Sequence, residues 1–238
     1  MAIAGLDPSC GAGLWVDGLA ITAAGGRPWL VATALTAQGL RGVAAIECVQ
    51  DLLLERQVDA LGAPPDGLKV GMLGTAALVH RVAAMVGDGR LPAPVLDPVL
   101  FASTGGPLLD AAGRRALLDT LLPLCAVVTP NAPELAALSG IPVEGDDSVI
   151  EAALRLTERG AQAVVAKGGH RRGDVVRDWI VRAGFEPCPL DAARRPGSLR
   201  GTGCRHASWL ATRLASGSDL RSAAATAQTW VADRMEDP

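Results

Sequence analysis

Short apolar runs alternate with longer segments of helix-forming residues along most of the chain. The runs are rich in Val, Leu and Ala and end at Gly, Pro, Asp or Asn, which is typical of buried strands. The longer segments are bounded by helix start and stop residues. The pattern predicts strands at 2–4, 29–37, 67–71, 93–96, 126–128, 163–166, 175–181 and 184–189, and helices at about 13–24, 51–61, 76–86, 108–122, 133–138, 148–158, 204–215 and 218–234.

The order of these elements predicts an α/β fold. Strands and helices alternate through most of the chain, and a two-stranded hairpin and two closing helices follow. Such an order is typical of a mostly parallel central sheet with helices on both faces. A chain of 238 residues without a linker or an internal repeat fits one domain, 1–238.

Several residues with distinctive side chains end a predicted strand or follow it directly. In sheets of this kind, ligands bind beyond the carboxyl ends of the strands. We therefore expect a single shared site, to which the strand ends contribute Asp7, Gln38, Met72, Asp97, Asn131 and Lys167.

Composition excludes several classes of protein. A net charge of −3 and an aromatic content of 3%, with no Tyr, provide neither a basic surface nor stacking platforms for nucleic acid. The longest charge-free apolar run near the start, 28–40, is too short to span a bilayer, and no signal peptide is visible. Five scattered cysteines indicate reduced thiols. We expect a cytoplasmic protein without a membrane partner.

The segment Gly201-Thr-Gly-Cys204 carries the strongest chemical signal. Two glycines before a helix allow successive N–H groups to point at one spot, and the helix dipole favours an anion there. The same field predicts a lowered pKa for Cys204, which could then act as a base near neutral pH. The alternative is a glycine-containing loop before an ordinary helix with a half-buried Cys. No P-loop or dinucleotide fingerprint offers another phosphate site.

Two polar residues are candidates for contacts with a small heterocycle. Asp17 is the one carboxylate in an otherwise apolar helix, and Gln38 ends a long apolar strand. Each has a structural alternative, a solvated helix position for Asp17 and a satisfied strand-end amide for Gln38. Met72 and Val99 would form apolar walls of the same pocket.

A second group of candidates suits a nucleotide and its metal ion. Asn131 and Glu134 could help Asp97 to hold Mg²⁺ through water, or they could serve as a helix cap and a first-turn acid. Lys167 is one of only two lysines among 22 basic residues and could bind phosphate. The other lysine, Lys69, has a simpler explanation because it lies at the entry to a predicted strand.

With these residues in place, the chain closely resembles the hydroxymethylpyrimidine and phosphomethylpyrimidine kinases of thiamine biosynthesis, within the ribokinase-like superfamily. The resemblance extends over nearly the whole chain. It lies in the segments Ala4-Gly-Leu-Asp-Pro-Ser9, Gly11-Ala-Gly13, Thr33-Ala-Leu-Thr-Ala-Gln38, Lys69-Val-Gly-Met-Leu73, Leu96-Asp-Pro-Val99, Leu121-Leu-Pro123, Thr129-Pro-Asn131, Pro133-Glu134, Lys167-Gly-Gly-His170 and Gly201-Thr-Gly-Cys204.

This resemblance implies a ribokinase-like three-layer sandwich and a role for each matching residue. The loop amides of 201–203 would form an anion hole, and Cys204 would be the base. The implied pyrimidine contacts are Gly5, Ala12, Asp17, Gln38, Met72, Val99 and Cys204, and the implied ATP and Mg²⁺ contacts are Asp97, Asn131, Glu134, Lys167, Gly201, Thr202 and Gly203. The chain departs from the family pattern at Cys10, Trp15, Arg200 and Arg205.

The expected activity is therefore phosphorylation of 4-amino-5-hydroxymethyl-2-methylpyrimidine, its monophosphate, or both, from MgATP. Positioning and charge stabilisation are the main needs of phosphoryl transfer. Two alternatives stay open: a pyridoxal or pyridoxine kinase of the same superfamily, and a non-catalytic pyrimidine-binding regulatory module. The sequence does not determine the oligomeric state, and a homodimer is one option.

Overall fold

A nine-stranded sheet organises the chain. The computed structural model describes residues 1–39, 42–102, 105–169 and 173–235. The strands are β1 (Ala2–Leu6), β2 (Leu30–Gly39), β3 (Gly42–Cys48), β4 (Lys69–Val70), β5 (Val95–Leu96), β6 (Val127–Val128), β7 (Val164–Ala166), β8 (Val175–Val181) and β9 (Cys188–Ala193).

Eight α-helices connect or follow these strands within the described residues. They are α1 (Gly13–Ala23), α2 (Asp51–Asp59), α3 (Ala76–Gly87), α4 (Ala111–Ala116), α5 (Ala132–Ser139), α6 (Asp146–Glu158), α7 (Thr202–Ala215) and α8 (Leu220–Ala232). A π-helical turn (Leu117–Leu121) and a 3-10 turn (Leu122–Leu124) extend α4. Within the described ranges, no helix combines the length and apolar character needed to cross a membrane.

The sheet is parallel in its centre and antiparallel at both edges. Its strand order is β3-β2-β1-β4-β5-β6-β7-β8-β9. All pairs from β2 through β7 are parallel, whereas β3, β8 and β9 run antiparallel to their neighbours. The carboxyl ends of six parallel strands therefore lie along one edge, which is where the sequence predicts the site.

Helices cover both faces of the sheet, in agreement with the predicted three-layer arrangement. Successive side chains of a strand point to opposite faces. In β5, Leu96 belongs to the larger core, which it shares with α2, α3 and α6, whereas Val95 belongs to the core beneath α7 and α8. A smaller cluster joins α1 to β1. The short central strands are buried on both faces, which explains their uninterrupted apolar sequence.

Three elements differ from the sequence-based expectation. Strand β3 was not predicted, because small residues dominate it and it becomes a strand only by pairing with β2. Strand β9 begins four residues later than expected, since Gly184 adopts a φ of +76° in the turn before it. The helix expected at 108–122 begins instead at Ala111, where the Asp110 side chain accepts a hydrogen bond from the Gly113 amide.

Candidate active site

A cavity of about 450 Å³ opens at the carboxyl edge of the central strands. We call it the first cavity. Of the residues predicted from sequence, those on its walls are Gly5, Asp7, Ala12, Gln38, Met72, Asp97, Val99, Asn131, Glu134, Lys167, Gly201, Thr202, Gly203 and Cys204. Asp17 is the predicted site residue that does not line it. His170, part of one of the matching motifs, lies outside the described residues.

The loop before α7 forms one wall of this cavity. Gly201 is the N-cap of α7 and adopts the left-handed conformation, with a φ of +69°. A Cβ atom at Gly201 would lie 2.6 Å from the Gly11 carbonyl oxygen, so a larger residue would disrupt both loops. The first amides of α7 have no partner within their own helix and border the cavity, which makes this helix start suitable for an anion.

The opposite side of the loop faces a cluster of charged groups. The Lys167 Nζ atom donates to Asp97 Oδ1 at 2.8 Å. A Cβ atom at Gly203 would lie 3.0 Å from Lys167 Nζ and 3.5 Å from each Asp97 carboxylate oxygen. The absence of a side chain at Gly203 therefore leaves the loop within reach of both groups.

Asn131 and Glu134 form a complete capping box at the start of α5. The Asn131 side chain accepts from the Glu134 amide, and the Glu134 carboxylate accepts from the Asn131 amide, both at 2.9 Å. Burial raises the pKa of Glu134 to about 7, with Lys167 acting to lower it and Asp97 to raise it. The two residues therefore do serve as a helix cap and a first-turn acid. Both nevertheless line the first cavity.

The carboxylates of Asp97 and Glu134 are of the ligand type that a magnesium ion binds. Burial alone would raise the pKa of Asp97, but the nearby Lys167 and Lys69 outweigh it and hold the pKa below its ordinary value. Carboxylate oxygens are the ligands that Mg²⁺ prefers. Among the described residues, no group of three or more His, Cys, Asp or Glu side chains could hold a metal ion. Asp97 and Glu134 supply two carboxylates, which leaves the other positions around an octahedral Mg²⁺ ion to further oxygen ligands.

The structure corrects the expected protonation of Cys204. Its burial raises the pKa to about 12, although Lys69 and the Gly13 amide act to lower it. Asp17 and Asp97 add to the increase. Cys204 is therefore a neutral thiol near pH 7 in the free protein, because withdrawal from water outweighs the field at the start of α7.

Asp17 also requires a correction. Its side chain is completely buried, and its oxygens accept from Lys69 Nζ at 2.8 and 2.9 Å and from the Ser208 hydroxyl at 2.8 Å. Lys69, for which the sequence suggested only a strand entry, is equally buried. Asp17 thus belongs to a buried ion pair behind the cavity and is neither a pyrimidine contact nor a solvated helix position.

The remaining predicted pyrimidine contacts lie together in the first cavity. Gln38 is half-buried, and its amide oxygen lies 3.4 Å from the Thr36 hydroxyl. A Cβ atom at Gly5 would lie 3.0 Å from the Met72 sulphur, which shows that Met72 packs directly over the end of β1. Val99 lines the same cavity. The arrangement combines one amide edge with apolar walls, as binding of a small heterocycle requires.

Arg200 and Arg205 hold two loops together beside this cavity. Arg200 donates to Asp7 Oδ2 at 3.0 Å and to the Ser9 hydroxyl at 2.8 Å. Arg205 donates to the Arg200 carbonyl and approaches the Gly11 carbonyl at 3.5 Å. Only Arg200 of the two lines the first cavity. Sequence reasoning identified both positions but not Asp7 as the partner, because the contact joins residues 193 positions apart.

A second cavity of about 480 Å³ adjoins the first. Four residues line both: Asn131, Lys167, Thr202 and Gly203. Most of the remaining lining was not predicted, since it comes largely from β8, β9, the end of α8 and the 194–199 loop, which carry no recognisable motif. These residues include Val176, Asp178, Arg194, His206, Gln228, Val231 and Met235. The 201–204 loop is therefore the boundary between the two cavities.

Comparisons with known proteins agree with this architecture. The family model described as phosphomethylpyrimidine kinase matches residues 7–238. A hydroxymethylpyrimidine/phosphomethylpyrimidine kinase of Haemophilus influenzae is 35% identical, covering 100% of this chain and 91% of that protein. The Escherichia coli protein of the same name is 33% identical, covering 96% of this chain and 91% of that protein.

Solved structures give the same result. A phosphomethylpyrimidine kinase from Clostridium difficile superposes with a TM-score of 0.84 at 27% identity, covering 98% of this chain and 96% of that chain. A pyridoxal kinase from Staphylococcus aureus, in complex with AMP-PCP and pyridoxal, gives a TM-score of 0.87 at 28% identity and covers 97% and 85%.

A mostly parallel sheet between two helical layers, with a glycine-flanked helix start between two cavities, defines a kinase of the ribokinase-like class. Within that class, the chain belongs to the phosphomethylpyrimidine kinase family.

Proposed function

We propose that the protein phosphorylates 4-amino-5-hydroxymethyl-2-methylpyrimidine, its monophosphate, or both, with ATP as the phosphate donor. The observation that carries this proposal is the position of the 201–204 loop, at the boundary of two adjoining cavities. A transferring phosphate must be reached by its donor from one side and by its acceptor from the other. The names of the relatives agree with this reaction.

The first cavity would hold the pyrimidine. Gln38 supplies both a donor and an acceptor, which match the amino group and the neighbouring ring nitrogen of a 4-aminopyrimidine. Met72 and Val99 supply apolar contact to the ring. The reacting hydroxymethyl group would then point toward Cys204 and the start of α7.

The second cavity would hold ATP, with its phosphates at Lys167 and the 201–203 amides. Lys167 lies against Asp97 and beside both cavities, so it can hold phosphate oxygens while its charge remains balanced. Asp97 and Glu134 would hold Mg²⁺ together with water. When bound, this ion would supply positive charge to the phosphates and would offset the Asp97 charge that disfavours a thiolate at Cys204.

The protein's own contribution to the reaction is to orient the acceptor and stabilise charge. The amides of Thr202 and Gly203 would stabilise the transferring phosphoryl group, because they are fixed in place before it arrives. We assign to Cys204 the role of base, which removes the proton from the hydroxyl or phosphate group of the pyrimidine that receives the phosphoryl group. Because its pKa in the free protein is about 12, Cys204 can accept this proton only as the thiolate, after its own proton has left to solvent. The nearby cations Lys69 and Lys167 favour that thiolate.

We further propose that residues 1–238 form one kinase domain. The support is a single nine-stranded sheet to which both the first and the last third of the chain contribute. The site likewise combines the β1–α1 loop with the start of α7.

A coupled ADP-release assay over a panel of heterocycles tests the proposed function. The panel contains the pyrimidine alcohol, its monophosphate, pyridoxal and pyridoxine. We expect kcat/KM to be highest for one of the two pyrimidines. Higher turnover of pyridoxal or pyridoxine would identify the related kinase instead. Pyrimidine binding without ADP release would identify a non-catalytic binding module.

A further inference from the structure

His206 occupies an unusual position in the second cavity. It lies on α7, lines the cavity and is 4% exposed. In the part of the chain that the structure describes, neither ring nitrogen has a hydrogen-bond partner. A buried polar group without a partner reduces stability, so a side chain of this kind suggests a role in binding.

Asp178 is the nearest acidic group to this imidazole. Its Oδ2 atom lies 3.8 Å from His206 Nε2, which is too far for a direct hydrogen bond. Its Oδ1 atom accepts from the Gly168 amide at 2.8 Å, so the carboxylate is fixed in place. Asp178 also lines the second cavity and is 3% exposed. The cavity wall therefore presents an imidazole and a carboxylate side by side.

The chemistry of this pair favours a hydroxyl group as its ligand. Burial lowers the pKa of His206 to about 3, so the ring is neutral and has one N–H donor. A carboxylate accepts hydrogen bonds, and a hydroxyl is a single group that can accept from the imidazole while it donates to the carboxylate. A phosphate group would be a poor ligand for this pair, because the Asp178 carboxylate would repel its negative charge.

The position along the cavity indicates which hydroxyl this is. His206 lies one helical turn beyond Thr202, about 6 Å from the anion-binding loop at a rise of 1.5 Å per residue. Val231 and Ala232 at the end of α8, with Met235 just beyond it, add an apolar wall to the same cavity that suits a base. The sugar of a nucleotide lies between its phosphates and its base.

We propose that His206 and Asp178 recognise a ribose hydroxyl of the bound nucleotide, which makes His206 a specificity-determining residue. This inference rests on the proposed use of the second cavity by ATP. It adds a contact that the sequence motifs did not indicate, because His206 on α7 and Asp178 on β8 are 28 positions apart in the chain.

Calorimetric titration tests this assignment with ADP, 2′-deoxy-ADP and 3′-deoxy-ADP. We expect the protein to bind ADP about ten-fold more tightly than at least one deoxy analogue, the effect of one lost hydrogen bond. In His206→Leu, ADP should bind about ten-fold more weakly and this discrimination should disappear. His206→Gln, which keeps a donor, should retain part of it. His80→Leu, the same change at an exposed position on α3, is the matched control.

Three outcomes would overturn the assignment. Equal affinity of the unmodified protein for all three nucleotides would reject the hydroxyl site while leaving the proposed function intact. Unchanged discrimination in His206→Leu, with only a change in melting temperature, would assign His206 a purely structural role. Absence of any ADP binding by the unmodified protein would reject the proposed function and this site together. If His206→Leu does not fold, His206→Gln decides by the same comparison of ADP with its deoxy analogues.

Discussion

The Lys69 Nζ atom lies 2.8 and 2.9 Å from the two carboxylate oxygens of Asp17, and both side chains are completely buried. Burial acts to lower the pKa of Lys69, but the Asp17 carboxylate outweighs it and holds the pKa above its ordinary value. Ser208, one turn beyond Cys204 on α7, donates to the same carboxylate. The pair therefore ties α1 and β4 to the helix that carries the anion-binding loop.

Lys69→Met should destabilise the protein strongly, by about 3–5 kcal/mol, because it leaves the Asp17 charge buried without its partner. Urea unfolding measures this loss. The double variant Asp17→Asn/Lys69→Met should recover part of it, since no charge then remains. Arg81→Met is the control: Arg81 pairs with Asp51 and Glu55 at a solvent-accessible site, so its loss should change the stability much less. If the free energy of unfolding of Lys69→Met equals that of the unmodified protein, the expected role of the Asp17–Lys69 pair in stability is wrong.

Gln38→Leu should weaken pyrimidine binding by about 1–3 kcal/mol, because the amino group and the neighbouring ring nitrogen lose their partner. Calorimetry with the pyrimidine alcohol measures the change. Gln162→Leu makes the same substitution at an exposed position away from both cavities and should leave the affinity unchanged. Retention of full affinity by Gln38→Leu would show that the pyrimidine binds elsewhere.

Cys204→Ala should lower kcat by about two to four orders of magnitude with little change in ADP affinity, as expected when a proton acceptor is removed. Steady-state kinetics and ADP titration give the two quantities separately. Cys188→Ala removes a half-buried thiol from β9, outside the first cavity, and serves as the control. Near-normal turnover by Cys204→Ala would reject the base assignment.

Alkylation of Cys204 by iodoacetamide should accelerate about ten-fold for each pH unit from pH 7 to 10. Only the thiolate reacts, and with a pKa of about 12 its population still grows in proportion to hydroxide over this range. Mass spectrometry of the Cys204 peptide measures the rate, and bound pyrimidine should slow it. A rate that levels off near pH 8 would instead indicate the low pKa expected from the helix start alone.

The phosphate on the substrate should be recognised by Arg200. We expect a higher kcat/KM for the monophosphate than for the alcohol, because a guanidinium forms charge-assisted hydrogen bonds with phosphate. Arg200→His should reduce this preference by about ten-fold. Arg205→His, at a position that does not line the first cavity, should reduce it less. If Arg200→His raises kcat/KM equally for both substrates, Arg200 obstructs the loop. If kcat/KM changes for neither substrate, Arg200 neither recognises the phosphate nor obstructs the loop.

Local sequence patterns were enough to predict the layered α/β fold and most of the residues that line the first cavity. Strand ends such as Gln38, Asp97 and Lys167 were identifiable because apolar runs stop there and parallel strands bring their carboxyl ends together. The 201–204 loop was identifiable because two glycines before a helix are a local signal. The existence of β3 and the bounds of β9 were not identifiable, since pairing with a neighbouring strand decides both.

The sequence by itself indicated which polar residues lie at the carboxyl ends of the central strands, and it indicated the glycine-flanked start of α7. Only the tertiary structure decided that Asp17 pairs with Lys69, that Arg200 meets Asp7, and that His206 lies beside Asp178. It also decided the protonation of Cys204, because the helix field depends on neighbouring residues whereas the loss of water depends on everything packed around the thiol. Burial and long-range partners are properties of the packed chain, and no local pattern encodes them.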